Sequence, residues 1–282
     1  MSAAAQSLDH AGIVTRDLNA AAAGLEAVGF TVTPLARHAG GRTANRCVML
    51  QAGYLELVAT VDGGASATLD RFLARYAGVH ILALGMADEV AVADRLRRAG
   101  ITAPAVTWTE RAVDDADPAG PRARFGLITP SDPPEGGVHQ GRVHLIRHMT
   151  PETLWQDRFL SHANHATALT EAVLVVEEPA RTAAWFARLA GQPLAPDPVD
   201  GYALPLPRGR LRIVPRRASD ALLGVPEPPT LPWIAGLTLT TADTMAALSR
   251  LLAERSVPHQ IRGEVVLAPV CGVTLRFQPV GR

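Results

Sequence analysis

Leu8-Asp9-His10-Ala11-Gly12-Ile13-Val14 is the stretch whose reading decides the fold. Apolar and β-branched residues run into the turn-like Thr15-Arg16-Asp17, which reads as a strand ending at a helix cap. From 18 to 28 the chain is alanine-rich with apolar residues at helical spacing, Asp17 supplies an N-cap and Gly29 a C-terminal stop. The expected helix is about three turns long. The short runs 30–33, 46–50 and 54–58 then alternate with glycine-containing connections and read as three strands. The unit is βαβββ, over residues 7–62.

Outward from this unit the pattern recurs. A second copy opens at Val79-His80-Ile81, continues through a helix at 88–98 stopped by Gly100, and ends in strands at 105–109, 123–128 and 142–147. A third runs from a strand at 172–176 through a helix at 180–190, stopped by Gly191, to a strand at 211–214. A fourth runs from 234–239 through a helix at 244–255 to 273–277. Four copies fill nearly the whole chain, so the repeat governs the fold expectation. The sequence predicts an α+β protein of four βαβββ modules. Its expected domains are an N-terminal one over 1–147 (modules 7–62 and 78–147), a helical connector over 148–165, and a C-terminal one over 166–282 (modules 168–216 and 232–280).

The opening Leu8-Asp9-His10, Asp17-Leu18, Gly29-Phe30 and Tyr54-Leu55-Glu56-Leu57 resemble the glyoxalase-like proteins of the vicinal oxygen chelate superfamily. So does His148-Met149-Thr150-Pro151-Glu152, with Trp155 and then His162-Ala163-Asn164, which resembles the segment joining the halves of such proteins. The resemblance implies paired modules whose curved sheets form half-closed barrels, with metal ligands on the first and fourth strand of each module. Carried over by strand, it makes His10, Glu56, His80 and His144 the metal candidates, with His148 and His139 competing for the last place. Leu8-Asp9-His10 is laid over Gly78-Val79-His80, and Gly53-Tyr54-Leu55-Glu56 over Gly141-Arg142-Val143-His144. Imidazole and carboxylate suit a divalent ion such as Zn, Ni, Fe, Mn or Co. Taken singly, each histidine also reads as a hydrogen-bonded strand residue.

At the equivalent places the third copy offers Glu171 and Arg212 and the fourth Gly236 and Arg276, from which no metal set can be built. The C-terminal half therefore reads as a degenerate one. Its arginines are expected to be exposed on edge strands or, alternatively, to hold an anion.

Two loop segments are candidates for completing the site. In Arg37-His38-Ala39-Gly40-Gly41-Arg42-Thr43-Ala44-Asn45-Arg46, His38 is a catalytic candidate and Asn45 and Arg46 are substrate-binding candidates, because they offer donors to a carbonyl or carboxylate. The segments 114–120 and 131–137 are expected to be mobile loops at the cup mouth. In the connector, Thr150 and Pro151 signal a helix start, and Trp155 and Phe159 share a face. His148 and Trp155 complete the substrate-binding candidates. His162 and Asn164 belong either to the site or to the interface between halves.

Composition narrows the function. Formal net charge is zero, and no basic run with interleaved aromatics is present, which argues against nucleic acid. No stretch approaches a bilayer span, and residues 1–7 carry no leader pattern, so a cytoplasmic protein with no membrane partner is expected. Cys47 and Cys271 read as small buried hydrophobes. Every one of the 27 basic residues is arginine, which excludes a lysine Schiff base, and neither a phosphate-binding loop nor a GxSxG elbow is present. The expected partner is a small-molecule substrate, and a homodimer is allowed. The resemblance implies a metal-dependent enzyme of isomerase, lyase or dioxygenase type, with Glu56 as ligand or as base. The alternative is a metal-free protein that sequesters a small molecule.

Overall fold

The computed structural model describes residues 3–102, 105–130, 141–225 and 227–281. The order strand, helix, three strands occurs four times. The first run is β1 (Ser7–Val14), α1 (Leu18–Ala27), β2 (Ala36–Arg37), β3 (Thr43–Met49) and β4 (Tyr54–Thr60). After α2 (Ala67–Leu73) the second comprises β5 (Gly78–Gly85), α3 (Glu89–Arg98), β6 (Thr107–Ala112), β7 (Arg122–Ile128) and β8 (Arg142–His148). A 3-10 turn at Pro151–Thr153 and the short α4 (Asp157–Leu160) lead to the third: β9 (Ala166–Val176), α5 (Pro179–Ala190), β10 (Ala195–Asp197), β11 (Gly201–Pro205) and β12 (Arg210–Pro215). After α6 (Ser219–Leu223) the last comprises β13 (Trp233–Thr241), α7 (Met245–Glu254), β14 (Gln260–Arg262), β15 (Val265–Val270) and β16 (Val273–Pro279).

Local chemistry sets these elements. The Asp17 carboxylate accepts from the Asn19 and Ala20 amides, which satisfies donors that α1 leaves unpaired. Asp88 and Thr244 do the same for α3 and α7. Residues 30–33 are not a strand. Their backbone and hydroxyl groups are held by the connector, the Thr31 amide donating to His162 Nδ1 (3.0 Å) and the Thr31 hydroxyl to the Ser161 carbonyl (2.6 Å). The strand that pairs with β3 is the two-residue β2, beyond Pro34.

The strands form one 16-stranded sheet. Within each run the last strand lies parallel to the first, as in β1 with β4 and β5 with β8, while first strands of successive runs meet antiparallel, β1 with β5 and β9 with β13. The first eight strands therefore follow the order β2-β3-β4-β1-β5-β8-β7-β6 and curl into a cup. Its two edges approach where Arg37 of β2 donates to Asp115 just beyond β6 (2.7 Å), and the Asp115 amide donates to the Leu35 carbonyl (2.9 Å). Asp115 of the segment 114–120 thus ties the two edges, and 131–137 lies outside the described residues. No ladder joins the edges among the described residues, so the sheet stays open.

The helices α1, α3, α5 and α7 cover the outer face, and the largest apolar cluster runs from Ala5 through Phe186 to Phe277 without dividing at the connector. His162 and Asn164 are part of that continuity. His162 donates from Nε2 to the Met49 carbonyl (2.8 Å) while accepting at Nδ1, which uses both ring nitrogens of the neutral form, and burial holds its pKa down. The Asn164 amide donates to the Val28 carbonyl (3.1 Å). Both residues therefore hold the halves together and do not face the cup.

The cup of the last eight strands is filled. Glu171, 1% exposed, accepts from Arg210 Nε (2.6 Å), Arg276 (2.8 Å) and the Thr238 hydroxyl (2.9 Å), while Arg212 grips Asp197 through two hydrogen bonds of 2.6 and 2.7 Å. Arg212 and Arg276 are therefore ion-pair partners of Asp197 and Glu171 inside the second cup and not exposed edge residues. Leu223 of α6 packs so closely over β13 that a Cβ at Gly236 would come within 2.4 Å of its side chain. Glycine at that position is what lets α6 plug the second cup.

Candidate functional site

The first cup is open. It encloses a cavity of about 390 Å³, walled by His10 and Ile81 from the first strands, Tyr54, Glu56 and Val58 from β4, Arg142, His144 and Ile146 from β8, Thr109 and Arg111 from β6, and Phe125 and Leu127 from β7. His38, Ala39 and Thr43 close one side, and Ser66, Thr68 and Leu69 another. Gly53 sits at φ +81°, where an added Cβ would come within 2.8 Å of the Asp9 carbonyl; this close approach sets Tyr54 and Glu56 against β1.

His10 lines the cavity, and Asp9 lies behind it, away from the wall. Burial alone would raise the Asp9 carboxyl, but the charge of His148 and the hydrogen bonds from His10 and His148 outweigh it and hold Asp9 well below the usual carboxylate range. The ionised Oδ1 accepts from His10 Nδ1 (2.8 Å) and His148 Nε2 (3.0 Å). Those partners assign the lone pair of a neutral His10 to Nε2, which lies 3.8 Å from Glu56 Oε2. The imidazole is clamped further by the Tyr54 ring, stacked at 4.3 Å.

Glu56 is held ionised as well. Burial pushes its carboxyl up, yet the His38 hydrogen bond (3.4 Å), the nearby His10 and the Asn45 amide (2.5 Å) together bring it far below the ordinary value. A carboxylate so stabilised is a poor proton acceptor near neutrality. Tyr54 behaves oppositely: burial and then the Asp9 and Glu56 charges push its hydroxyl well above the usual phenol range, which keeps it a donor.

Of the sequence candidates, the structure brings His10, Glu56, His38 and His144 to the cavity wall. It does not bring His80 there. Glu56 is level with Gly12 on β1, and His144 is level with Ala83 on β5, so the second-run counterpart of His10 is Ile81. His80 is the residue skipped where the β1–β5 ladder passes from Gly12–Ile81 to Ile13–Val79, and it does not line the cavity. Its ring stacks on Phe72 (4.8 Å) and Tyr76 (3.9 Å), and Nε2 donates to the Tyr76 carbonyl (2.8 Å).

Arg46 is displaced by the same alternation, since adjacent strand residues cannot share a face. It donates to the Thr33 carbonyl (3.0 Å) and approaches Glu26 (3.7 Å) behind the cup. Asn45 does not line the cavity and reaches the site through Glu56 (2.5 Å) and His38 Nε2 (3.3 Å). His148 and Trp155 stand behind the wall: the Trp155 indole donates to the Leu50 carbonyl (2.9 Å), and the two rings meet edge to face at 4.9 Å. Arg111 is the wall residue that sequence reading missed. Taking the strand as 105–109 left it in a loop, whereas β6 extends to Ala112 and alternation points Arg111 inward.

The residue set does not fit a metal centre. His10 and Glu56 approach each other and His144 shares their cavity wall, but the apolar Ile81 stands where the second run's counterpart of His10 would supply a donor. Among the described residues no group of three or more histidine, cysteine, aspartate or glutamate side chains is placed to hold a metal ion, and His139 lies outside them.

Burial, the Arg142 guanidinium and His10 lower the His144 imidazole to about 3, with Glu56 opposing them. In the unfolded chain it titrates near 6.5, so between these values the unfolded state binds more protons and stability falls as pH drops. His144→Asn is expected to flatten the urea-derived stability profile between pH 6.5 and pH 4.5 by about 2 kcal/mol. An unchanged slope in that window would contradict the buried neutral form.

Comparison with known proteins agrees with this geometry. Residues 8–190 match the family described as a glyoxalase-like domain. No curated protein matches the chain by sequence. Among solved structures, a hypothetical protein from Staphylococcus aureus is similar at TM-score 0.70 and 11% identity, covering 97% of this chain and 99% of that one. A substituted form of 4-hydroxymandelate synthase from Streptomyces coelicolor is similar at TM-score 0.61 and 13% identity, over 99% and 95% of the two chains. A catechol 2,3-dioxygenase is similar at TM-score 0.59 and 13% identity, over 99% and 89%. At these identities the likeness is one of fold.

Proposed function

Because the chain belongs to the glyoxalase-like domain family, we propose that it is an enzyme that moves a proton on a small oxygen-bearing organic molecule held in the first cup, with His10 as the base. The observation that carries this reading is the Asp9–His10 pair, whose free Nε2 opens on a walled cavity beside Glu56 and Tyr54.

In the proposed step Nε2 takes the proton from a carbon next to a carbonyl, and the electron pair of the broken C–H bond moves to the carbonyl oxygen as an enolate. Ionised Asp9 stabilises the imidazolium across Nδ1–H, and Glu56 adds a second negative charge beside it. The Tyr54 hydroxyl, still protonated, is a donor for the enolate oxygen. Return of the proton to the same or the neighbouring atom gives exchange or isomerisation, and loss of a leaving group gives elimination. His38 and Asn45 act through Glu56, which they hold in place. Oxygenase chemistry would call for a redox-active group, for which this cup lacks a fitting donor set, so the isomerase and lyase branch is the better supported one.

The test is proton NMR in D2O with a panel of small ketones and 2-oxo acids. The expected result is catalysed loss of α-proton signal by the wild-type chain for at least one member. Binding without exchange across the panel would favour the sequestration alternative and overturn the enzyme reading.

A further inference from the structure

Along β6 side chains divide between two surfaces. Trp108 and Glu110 face a shallow outer groove, Arg111 faces the cavity, and Thr109 borders both. Arg111 is only 8% exposed. Its guanidinium lies over the Phe125 ring at 5.8 Å and donates to the neighbouring Ala112 carbonyl at 3.1 Å. Each exposed arginine of β7 has a carboxylate in reach, Arg122 at 2.8 Å and Arg124 at 3.3 Å from Glu110, but Arg111 forms no such pair among the described residues.

The nearby groups do not compensate it. Burial and then the Glu56 charge push the adjacent Cys47 thiol up to about 12, so it is neutral, and Tyr54 stays protonated. A buried cation without a counter-charge is costly, and the cost is relieved when an anion enters.

We propose that Arg111 receives the carboxylate of a small organic acid whose apolar body lies on Phe125, Leu127 and Ile146, leaving the reacting carbon toward the β1 and β4 wall that carries His10 and Glu56. This names the substrate class of the site and rests on the first cup being that site. A monoanion suits it better than a doubly charged phosphate, because Glu56 places a negative charge across the cavity; the planar guanidinium can hold the carboxylate through two parallel bonds. Arg142 is the weaker candidate: it is exposed at the rim and reaches the Thr68 hydroxyl at 3.3 Å.

The experiment titrates benzoate and its neutral isostere benzamide into the wild-type chain, Arg111→Met, Arg111→Lys and Arg142→Met by calorimetry. The expected result is at least tenfold tighter binding of benzoate than of benzamide by the wild type. Arg111→Met should then lose about 10- to 100-fold in benzoate affinity with benzamide unchanged. Arg111→Lys, which keeps the charge and loses the fork, should lie between and decides the matter if the methionine variant does not fold. Unchanged benzoate binding in both Arg111 variants, or loss of the preference in Arg142→Met instead, would overturn the assignment. Absence of benzoate binding in a wild-type chain that still catalyses α-proton exchange would overturn the Arg111 anchor alone; absence of both would overturn the functional reading with it.

Discussion

His10→Gln is expected to lower the rate of α-proton exchange by about 10²- to 10⁴-fold, the range that removal of a positioned general base commonly costs. Glutamine keeps a donor toward Asp9 and fills most of the volume under Tyr54, so the thermal midpoint should move little while the rate collapses. Glu56→Gln should be milder, because Glu56 is held ionised by Asn45 and His38 and acts on the imidazolium without taking the proton itself. Exchange reduced more by Glu56→Gln than by His10→Gln would reverse those two roles and return the base to Glu56.

The largest effect on stability is expected far from that site. Glu171→Ala should cost about 3–5 kcal/mol, because it leaves Arg276 and Arg210 without the carboxylate that neutralises them inside the second cup. Arg276 suffers most, since burial already disfavours its charge and Glu171 is the chief opposing influence. Arg210, about half exposed, can turn to solvent, so Arg210→Gln should cost no more than about 1 kcal/mol. Urea unfolding of the two variants checks this, and a loss below about 1 kcal/mol for Glu171→Ala would mean that the cluster does not hold the second cup together. Such a result would also reopen that cup as a place for ligands.

Sequence reading reached the strand, helix and three-strand order because that order rests on local signals, namely caps at Asp17 and Asp88, glycine stops and β-branched runs. His10, Glu56 and His144 were named by the family resemblance carried over strand by strand, and His38 by its polar hairpin; the structure brings all four to one cavity wall. His80 was misplaced because laying Leu8-Asp9-His10 over Gly78-Val79-His80 matches letters, whereas the facing side of a strand is decided by pairing. The irregularity between Gly12 and Ile13 in the β1–β5 ladder shifts that pairing by one residue. A shift of one takes a ligand candidate off the cavity wall and packs its ring against Phe72 and Tyr76.

Arg111 escaped notice for a related reason. It lies past the apparent end of its strand, and nothing local says that a polar strand end is walled in by Phe125 of the next one. Arg212 and Arg276 look solvent-bound in one dimension, because their partners Asp197 and Glu171 are 15 and 105 positions away. The displacement of residues 30–33 from the sheet likewise depends on a connector more than a hundred positions distant.

The central claim is that the first cup works through its own acid and base groups, with His10 at their head. The most direct measurement is α-proton exchange by protein purified without a histidine tag, before and after exhaustive chelation, with metal content determined on the same samples. The account predicts an unchanged rate and far less than one equivalent of divalent metal per chain. Exchange that disappears on chelation, returns with one added divalent ion and tracks near-stoichiometric metal lost in both His10→Ala and Glu56→Ala would contradict it and establish a metal centre in its place.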